Sequence, residues 1–509
     1  MTFLLRIIAL LSALLLSGCI TLNPNPYQEE SSSLPPVESG ILVDTAAKLN
    51  IAAGQTAAMP LSGAKEAMDW RLALIDNATR SIDIQYFIWS SDAAGRLVFD
   101  RLLRAADRGV RVRLLVDDLA LEGKDVNIAT LSKHANFEIR IYNPGSVRKS
   151  ALGAIGEFML YFRELNRRMH NKLFVVDNRF AILGGRNIGN PYFGLSDKYN
   201  NRDLDILLAG AVVTNISNAF DDYWNADLAY PGEEMSDRAN ISRIPALRRQ
   251  LDKQLDADTE RLQSYPQDRQ DWHALLATFP ARADYGEAFF LQDIPISEDG
   301  RELKLVDMID QVAGESDEEI IVVSPYFIPT DNLLEDIAAA TLRGVKVKII
   351  TGSLGSNNHT AVHSHYRKYR RRILAAGAEL YEFRHDPAPD IRAISDVPPV
   401  TAKFISLHAK ALVGDRNKVF IGSLNLDPRA VIINTENGVY FESAALGEDL
   451  GRLFDEMMSP ENAWQVRLDD NDNLTWTAKE GVKQQQPARH FGQRIADFLY
   501  RLLPIESQL

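Results

Sequence analysis

The sequence predicts an α/β protein made of two similar halves. Three observations carry this: a strand–helix–strand unit occurs twice, a Gly ends the helix in each copy, and one polar motif follows each copy. Ser81 to Trp89 reads as a buried strand, and Ile320 to Pro329 is its counterpart. Helical spacing follows over Gly95–Arg108 and over Asn332–Leu342. Gly109 and Gly344 stand where a left-handed C-cap is expected. The β-branched runs Val110–Val116 and Val345–Ile350 come next, so each half predicts α/β layers with parallel strand pairing.

The first motif is His170-x-Lys172-x4-Asp177, followed by Gly184-Gly185-x-Asn187. The second is His408-x-Lys410-x4-Asp415, followed by Gly422-Ser423-x-Asn425. In both, the Gly lies 14 residues after the His and the Asn 17 after it. Each His precedes an apolar strand, and residues two apart on a strand leave on one face, so His and Lys can reach the same phosphate. A Gly-rich turn after a second short strand lets backbone approach that phosphate closely. Two imidazoles, two ammonium groups and two carboxamides at matched spacing suit a phosphodiester handled by double displacement.

The chain divides by composition. Residues 1–18 read as a signal peptide, with Arg6 ahead of an apolar core, Ile7–Leu16, too short to span a bilayer comfortably. Leu16-Ser17-Gly18-Cys19 resembles a bacterial lipobox, which would make Cys19 a lipidation site; an ordinary signal peptide or a short anchor is the alternative. Cys19 is the one cysteine, so a disulfide within the chain and a cysteine-rich metal site are excluded. Residues 19–63 are expected to form the lipidated N-terminus and a solvated tether, rich in Asn, Pro, Glu and Ser over 21–39. The halves are expected at 64–230 and 286–509, with a helical, partly exposed connecting segment at 231–285. A formal net charge of −13 argues against a nonspecific nucleic-acid binder. The same acidity does not assist docking on anionic lipid, so membrane contact must rest on local patches and the anchor.

The double motif resembles that of the phospholipase D superfamily. The run Gly422-Ser-Leu-Asn425-Leu-Asp427-Pro-Arg429, with Asn434-Thr-Glu436, is similar to the bacterial cardiolipin synthase branch. Arg167-Arg-Met-His170-Asn-Lys172, Arg202-Asp203-Leu-Asp205 and the Leu-Pro504-Ile-Glu506 ending resemble the cardiolipin synthase C subgroup most. The resemblance spans about residues 64–509 and fits the middle stretch least. It implies two phospholipase D-like halves, each a mixed sheet flanked by helices, related by a pseudo-two-fold axis and sharing one active site. It also implies a membrane-bound phosphatidyltransferase that makes cardiolipin from phosphatidylglycerol and a second phospholipid, with phosphatidylethanolamine a possible donor.

The resemblance further implies that one His attacks phosphorus while the other protonates the departing oxygen. The family habit favours His170 as nucleophile and His408 as acid, then base; the residues alone do not distinguish them. Lys172, Lys410, Asn187 and Asn425 would hold the non-bridging oxygens, so no metal and no cofactor is expected, and activity should survive EDTA. Each imidazole also needs an orienting acceptor. Asp203, 33 residues after His170, and Glu436, 28 after His408, are the candidates. Asp177 and Asp415, though motif members, are read as closing the turn after the strand, with a direct catalytic role as the alternative.

Other residues carry two readings each. His359, His363 and His365 could suggest a metal cluster, but no carboxylate is near in sequence, and the cleft rim or plain surface is preferred. Tyr366 to Arg372 could meet anionic headgroups or be a solvated basic helix face. Ala151–Phe162 and the run Phe491 to Leu503 have helical apolar spacing and either dock on a membrane or pack on the body. A lipidated Cys19 would place the protein on a bacterial membrane facing the periplasm. Ile20 in place of a retention Asp favours the outer membrane, whereas cardiolipin precursors are made at the inner one, so both stay open. The rival functions are a hydrolase releasing phosphatidic acid, a nuclease disfavoured by acidity, and a scaffold with a decayed site, which the intact motifs oppose. Gly185 in place of Ser423 makes the half-sites chemically unequal.

Overall fold

The computed structural model describes residues 22, 26–49, 51–52, 54–121, 123–148, 156–158, 160–295, 304–503 and 506–508. The signal segment 1–18, Cys19, and residues 151–155 and 159 of the first amphipathic stretch lie outside them.

In the first half, strands Ser81–Tyr86, Arg111–Asp117 and Phe137–Tyr142 are parallel neighbours. Leu173–Val176, Phe180–Gly184, Asp205–Gly210 and Thr56–Leu61 extend the sheet antiparallel on one side, and Ala229–Pro231 on the other. The second half repeats that order with Glu319–Val323, Lys346–Gly352 and Glu379–Phe383 parallel, flanked by Ala411–Gly414, Lys418–Gly422, Asn437–Glu442 and Asp284–Gln292. Thr56–Ala58 pairs antiparallel with Asp284–Gly286, which fuses the two sheets into one of 18 strands. The duplicated, mixed α/β architecture expected from the sequence is therefore present.

Local chemistry explains the element ends. Helix Ala93–Asp107 starts ahead of the predicted Gly95 because Asp92 caps it, accepting from the Gly95 amide at 3.1 Å. Thr330 caps Asp331–Leu342 in the same way through the Leu333 amide. Gly109 and Gly344 adopt φ of 91° and 94°, the left-handed caps predicted. Helix Ala93–Asp107 buries Leu97, Val98, Leu102, Ala105 and Ala106 at helical spacing, so its apolar stripe faces the sheet.

One apolar core crosses the halves. Leu173, Leu183 and Ile206 of the first pack in the same cluster as Ile405, Ile421 and Phe441 of the second. Truncating one of these to Ala costs about 2–5 kcal/mol and loosens the seam that aligns the two motifs.

Two expectations change. The stretch read as a solvated tether is pinned over its described part: Ser31 and Ser33 amides donate to Asn225 and Asp221, and Arg140 donates to the Glu29 carbonyl. Unpaired backbone groups of an extended segment found partners on the strand and helix ends they cross. Thr56–Leu61, placed before the first half, is one of its strands. The segment 231–285 carries helix Ile244–Ala257 and packs on the first half, where Leu262, Tyr265 and Phe279 are buried. Among the described residues no helix is long and apolar enough to cross a membrane.

Candidate active site

Each catalytic-motif His rides on backbone from the opposite half. The His170 amide donates to the Thr435 carbonyl at 2.9 Å, and the Thr435 amide donates back to Arg168 at 3.0 Å. Likewise Ile405–Leu407 pairs parallel with Asn200–Arg202, and the His408 amide donates to the Arg202 carbonyl at 2.9 Å. Neither half can place its His without the other.

The orienting carboxylates are exchanged in the same sense. Nδ1 of His170 lies 2.8 Å from Glu436 Oε2, and Nδ1 of His408 lies 2.7 Å from Asp203 Oδ2. Sequence order put Asp203 after His170 and Glu436 after His408, but each serves the His of the other half. Both carboxylates are fully buried, so a donor at Nδ1 satisfies them and leaves Nε2 of each ring with its lone pair.

The chemistry of the Gly185 departure follows from side-chain length. In the second half Ser423 Oγ donates to Glu436 Oε2 at 2.5 Å. In the first half Asp203 itself fills this space, and a Cβ on Gly185 would lie 2.1 Å from Asp203 Oδ1. Glu with Ser and Asp with Gly are thus two ways to fill one space.

Lys172 and Lys410 are buried, and each donates to the carbonyl of its own His at 2.5 Å. Burial lowers Lys172 to about 7, with Glu436 opposing and Lys410 adding, and lowers Lys410 to about 8, with Asp203 and Glu436 opposing. Burial also lowers His170 well below its ordinary value, with Lys172, Lys410 and Arg429 adding to the effect. His408 falls to about 4, from burial and then Lys410, with Asp203 opposing. Both lysines act on both rings, so the two motifs form one site. Without an anion in it, that site holds neutral imidazoles and lysines that resist full charging.

The carboxamides differ. Asn187 is held by the Ile88 amide at 3.0 Å and donates to the Tyr192 hydroxyl at 3.1 Å. Asn425 Oδ1 is buried with no hydrogen-bond partner among the described residues. Asp177 and Asp415 do not join the site. Asp177 accepts from the Thr79, Arg80 and Ser81 amides, and Asp415 from those of Asp317, Glu318 and Glu319. Each sits at the far end of its strand from the His, with φ of 53° and 45°, closing the turn.

Phe87, Tyr192 and Arg429 were given no role from the sequence, and Ser423 was legible only as a hydroxyl that Gly185 lacks. Phe87 meets the His170 ring edge-on at 4.9 Å, and Tyr192 meets His408 at 5.3 Å. Arg429 contributes positive charge at His170, and Ser423 braces its carboxylate. A signal existed: Asn190-Pro191-Tyr192 and Asp427-Pro428-Arg429 follow the two motif Asn residues at similar distance, and each sends its third residue to the opposite His.

Two of the three clustered histidines are neither rim nor surface. His363 and His365 are buried, with Nδ1 bound to Asp497 at 2.8 Å and to Glu506 at 2.9 Å. The basic run is spent too: Arg367 pairs with Asp497, Lys368 with Glu506 and Arg370 with Glu382. Sequence distance of more than a hundred residues hid the Asp497 and Glu506 partners, whereas Glu382 lies 12 residues after Arg370. His359 alone is exposed, and no group of three metal-ligating side chains occurs among the described residues.

The family described as "Cardiolipin synthase, PLD-like domain" matches this chain twice, over residues 72–224 and 308–458. The chain belongs to that family. Each matched stretch holds one motif His and the carboxylate that orients the other. Within the family, cardiolipin synthase C of Escherichia coli K12 is 34% identical over 465 residues, covering 89% of this chain and 96% of that protein. The major cardiolipin synthase of Bacillus subtilis 168 is 24% identical, covering 76% of this chain and 65% of that one. A crystal structure of phosphatidylserine synthase from Haemophilus influenzae Rd KW20 shares the fold, with a TM-score of 0.56 and 17% identity over 91% of this chain and 97% of that one.

Proposed function

We propose that this chain is a phosphatidyltransferase that makes cardiolipin through a covalent phospho-histidine. The carrying observation is the pair of buried imidazoles, each oriented through Nδ1 by a carboxylate of the opposite half, over two shared lysines. In the first step Nε2 of His170 bonds to phosphorus, the ester bond to the leaving alcohol breaks, and His408 gives that oxygen its proton. In the second step His408 takes the proton of a primary hydroxyl of phosphatidylglycerol, the new ester forms, and the phosphorus–nitrogen bond breaks.

Electrostatics favour this order. Arg429 and the two lysines all oppose protonation of His170, which suits a nucleophile. At His408 the Asp203 charge opposes Lys410 and favours the protonated ring. An entering phosphodiester adds negative charge between the lysines, raising all four values and arming His408 as an acid only when substrate is present. The cardiolipin synthases among the relatives favour transfer over hydrolysis.

The donor is phosphatidylglycerol or phosphatidylethanolamine. Purified enzyme incubated with phosphatidylglycerol, with and without phosphatidylethanolamine, is expected to give cardiolipin by mass spectrometry. His170→Ala is expected to give none. Phosphatidic acid without cardiolipin would make the chain a hydrolase instead. We place the protein on a bacterial membrane facing the periplasm through Cys19, supported by the lipobox-like Leu16-Ser-Gly-Cys19. Labelled palmitate should enter the wild type and not Cys19→Ala; equal labelling would remove that assignment.

A further inference from the structure

The C-terminal helix Phe491–Tyr500 lies on the body with its faces reversed. Its polar side is inward: Asp497 and Gln493 are buried, and Asp497 binds His363 at 2.8 Å and Arg367 at 2.7 Å. Gln493 donates to the Leu354 carbonyl at 2.5 Å. Its apolar side faces out, with Phe491 75% exposed, Leu499 56% and Phe498 50%. Leu502, just beyond, is 65% exposed. A surface helix in water normally buries that stripe. Here buried, paired charges fix the opposite orientation, and breaking one such pair leaves an uncompensated charge in the interior.

Two further exposed apolar elements are linked to the C-terminal segment. Leu160 and Tyr161, just before helix Phe162–Asn166, are 64% and 57% exposed, and Ile432 in the π-helical turn Arg429–Ile433 is 65% exposed. They are tied together: Asn166 Nδ2 donates to Gln508 Oε1 at 2.8 Å, and Arg429 donates to the Asn166 side chain at 2.9 Å. Arg429 is also the cation acting on His170, so this surface borders the entrance to the site. Arg501 lies over the Phe498 ring at 5.0 Å, an arrangement that puts a cation at the depth of phosphate headgroups when the ring is in acyl chains.

We infer that the outward face of helix 491–500, with Leu160, Tyr161 and Ile432, docks in the headgroup region of a phospholipid bilayer and turns the His170 entrance toward it. Beyond the anchor, this gives the acidic protein a local membrane contact, and it rests on the phospholipid reading of the site. Exposed apolar side chains with Arg501 set over Phe498 fit a lipid interface, and the reversed helix gives them one fixed orientation.

The test uses the full chain in phosphatidylglycerol–phosphatidylethanolamine vesicles whose acyl chains are brominated. The added tryptophan of Phe498→Trp should lose about half its emission relative to ordinary vesicles, while that of Leu342→Trp, exposed elsewhere, should lose none. Phe498→Glu with Leu502→Glu should lower the ratio of turnover on vesicles to turnover on monomeric short-chain phospholipid about tenfold. Equal quenching at both positions, or none at 498, overturns the inference. So does a dimer of wild type that Phe498→Glu splits without any quenching, which would make the face a contact between copies. Quenching at 498 in a protein that moves no phosphatidyl group would keep the surface and remove the transfer reading.

Discussion

Replacing Asp203 with Asn leaves the shape of the site intact and removes one charge from the opposite half's histidine. The carboxylate is buried, 2.7 Å from His408 Nδ1, and it also accepts from the Leu204 amide at 2.9 Å. Burial would raise its pKa, but His408 and Lys410 hold it well below the ordinary carboxylate range, so it is charged throughout the working pH. Breaking a buried pair of this kind costs about 3–5 kcal/mol. If most of that falls on the transition state, turnover drops about 10²- to 10³-fold, at 1.36 kcal/mol per decade. A phosphatidyl ester of p-nitrophenol separates the two histidines, because nitrophenolate departs without a proton. Asp203→Asn and His408→Ala should keep a rapid burst of nitrophenol and lose steady-state transfer. Glu436→Gln and His170→Ala should lose the burst. A burst missing from Asp203→Asn but present in Glu436→Gln would reverse the assignment of nucleophile and acid and refute the electrostatic reasoning.

The pH profile should carry the lysines: kcat/KM reports the free enzyme, so it should fall as pH rises through about 7 to 8, where Lys172 and Lys410 lose their protons. A limb near 10.5 would show that neither lysine is depressed, and Lys172→Arg should move the limb upward. Gly185→Ser should lower turnover about tenfold or more by pushing Asp203 off His408, since its Cβ would sit 2.1 Å from Oδ1; Gly185→Ser combined with Asp203→Asn should cost little beyond Asp203→Asn, and additive losses in a double-mutant cycle would contradict this. Asp177→Ala should cost about 2–4 kcal/mol in a denaturant titration, from three orphaned amides and a left-handed backbone without Asp, while kcat stays within about threefold. A large kcat loss at unchanged stability would restore Asp177 to the chemistry.

Short-range patterns were legible in the chain itself. The duplicated strand–helix–strand units, the Gly caps at 109 and 344, and the spacing that sets His, Lys and Asn on one strand-and-turn unit all depend on neighbours within about twenty residues. The motif aspartates were legible as turn residues for the same reason. Two features were decided by the tertiary structure alone. Asp203 and Glu436 are recognisable as buried acceptors, but which ring each serves depends on two half-sheets meeting through strands 56–61 and 284–292. The amphipathic spacing of 491–503 is plain in the sequence, yet its periodicity is the same whether the stripe points in or out. His363 and Asp497, 134 positions apart, settle that direction, because a buried charge must find its partner before an apolar stripe can find cover.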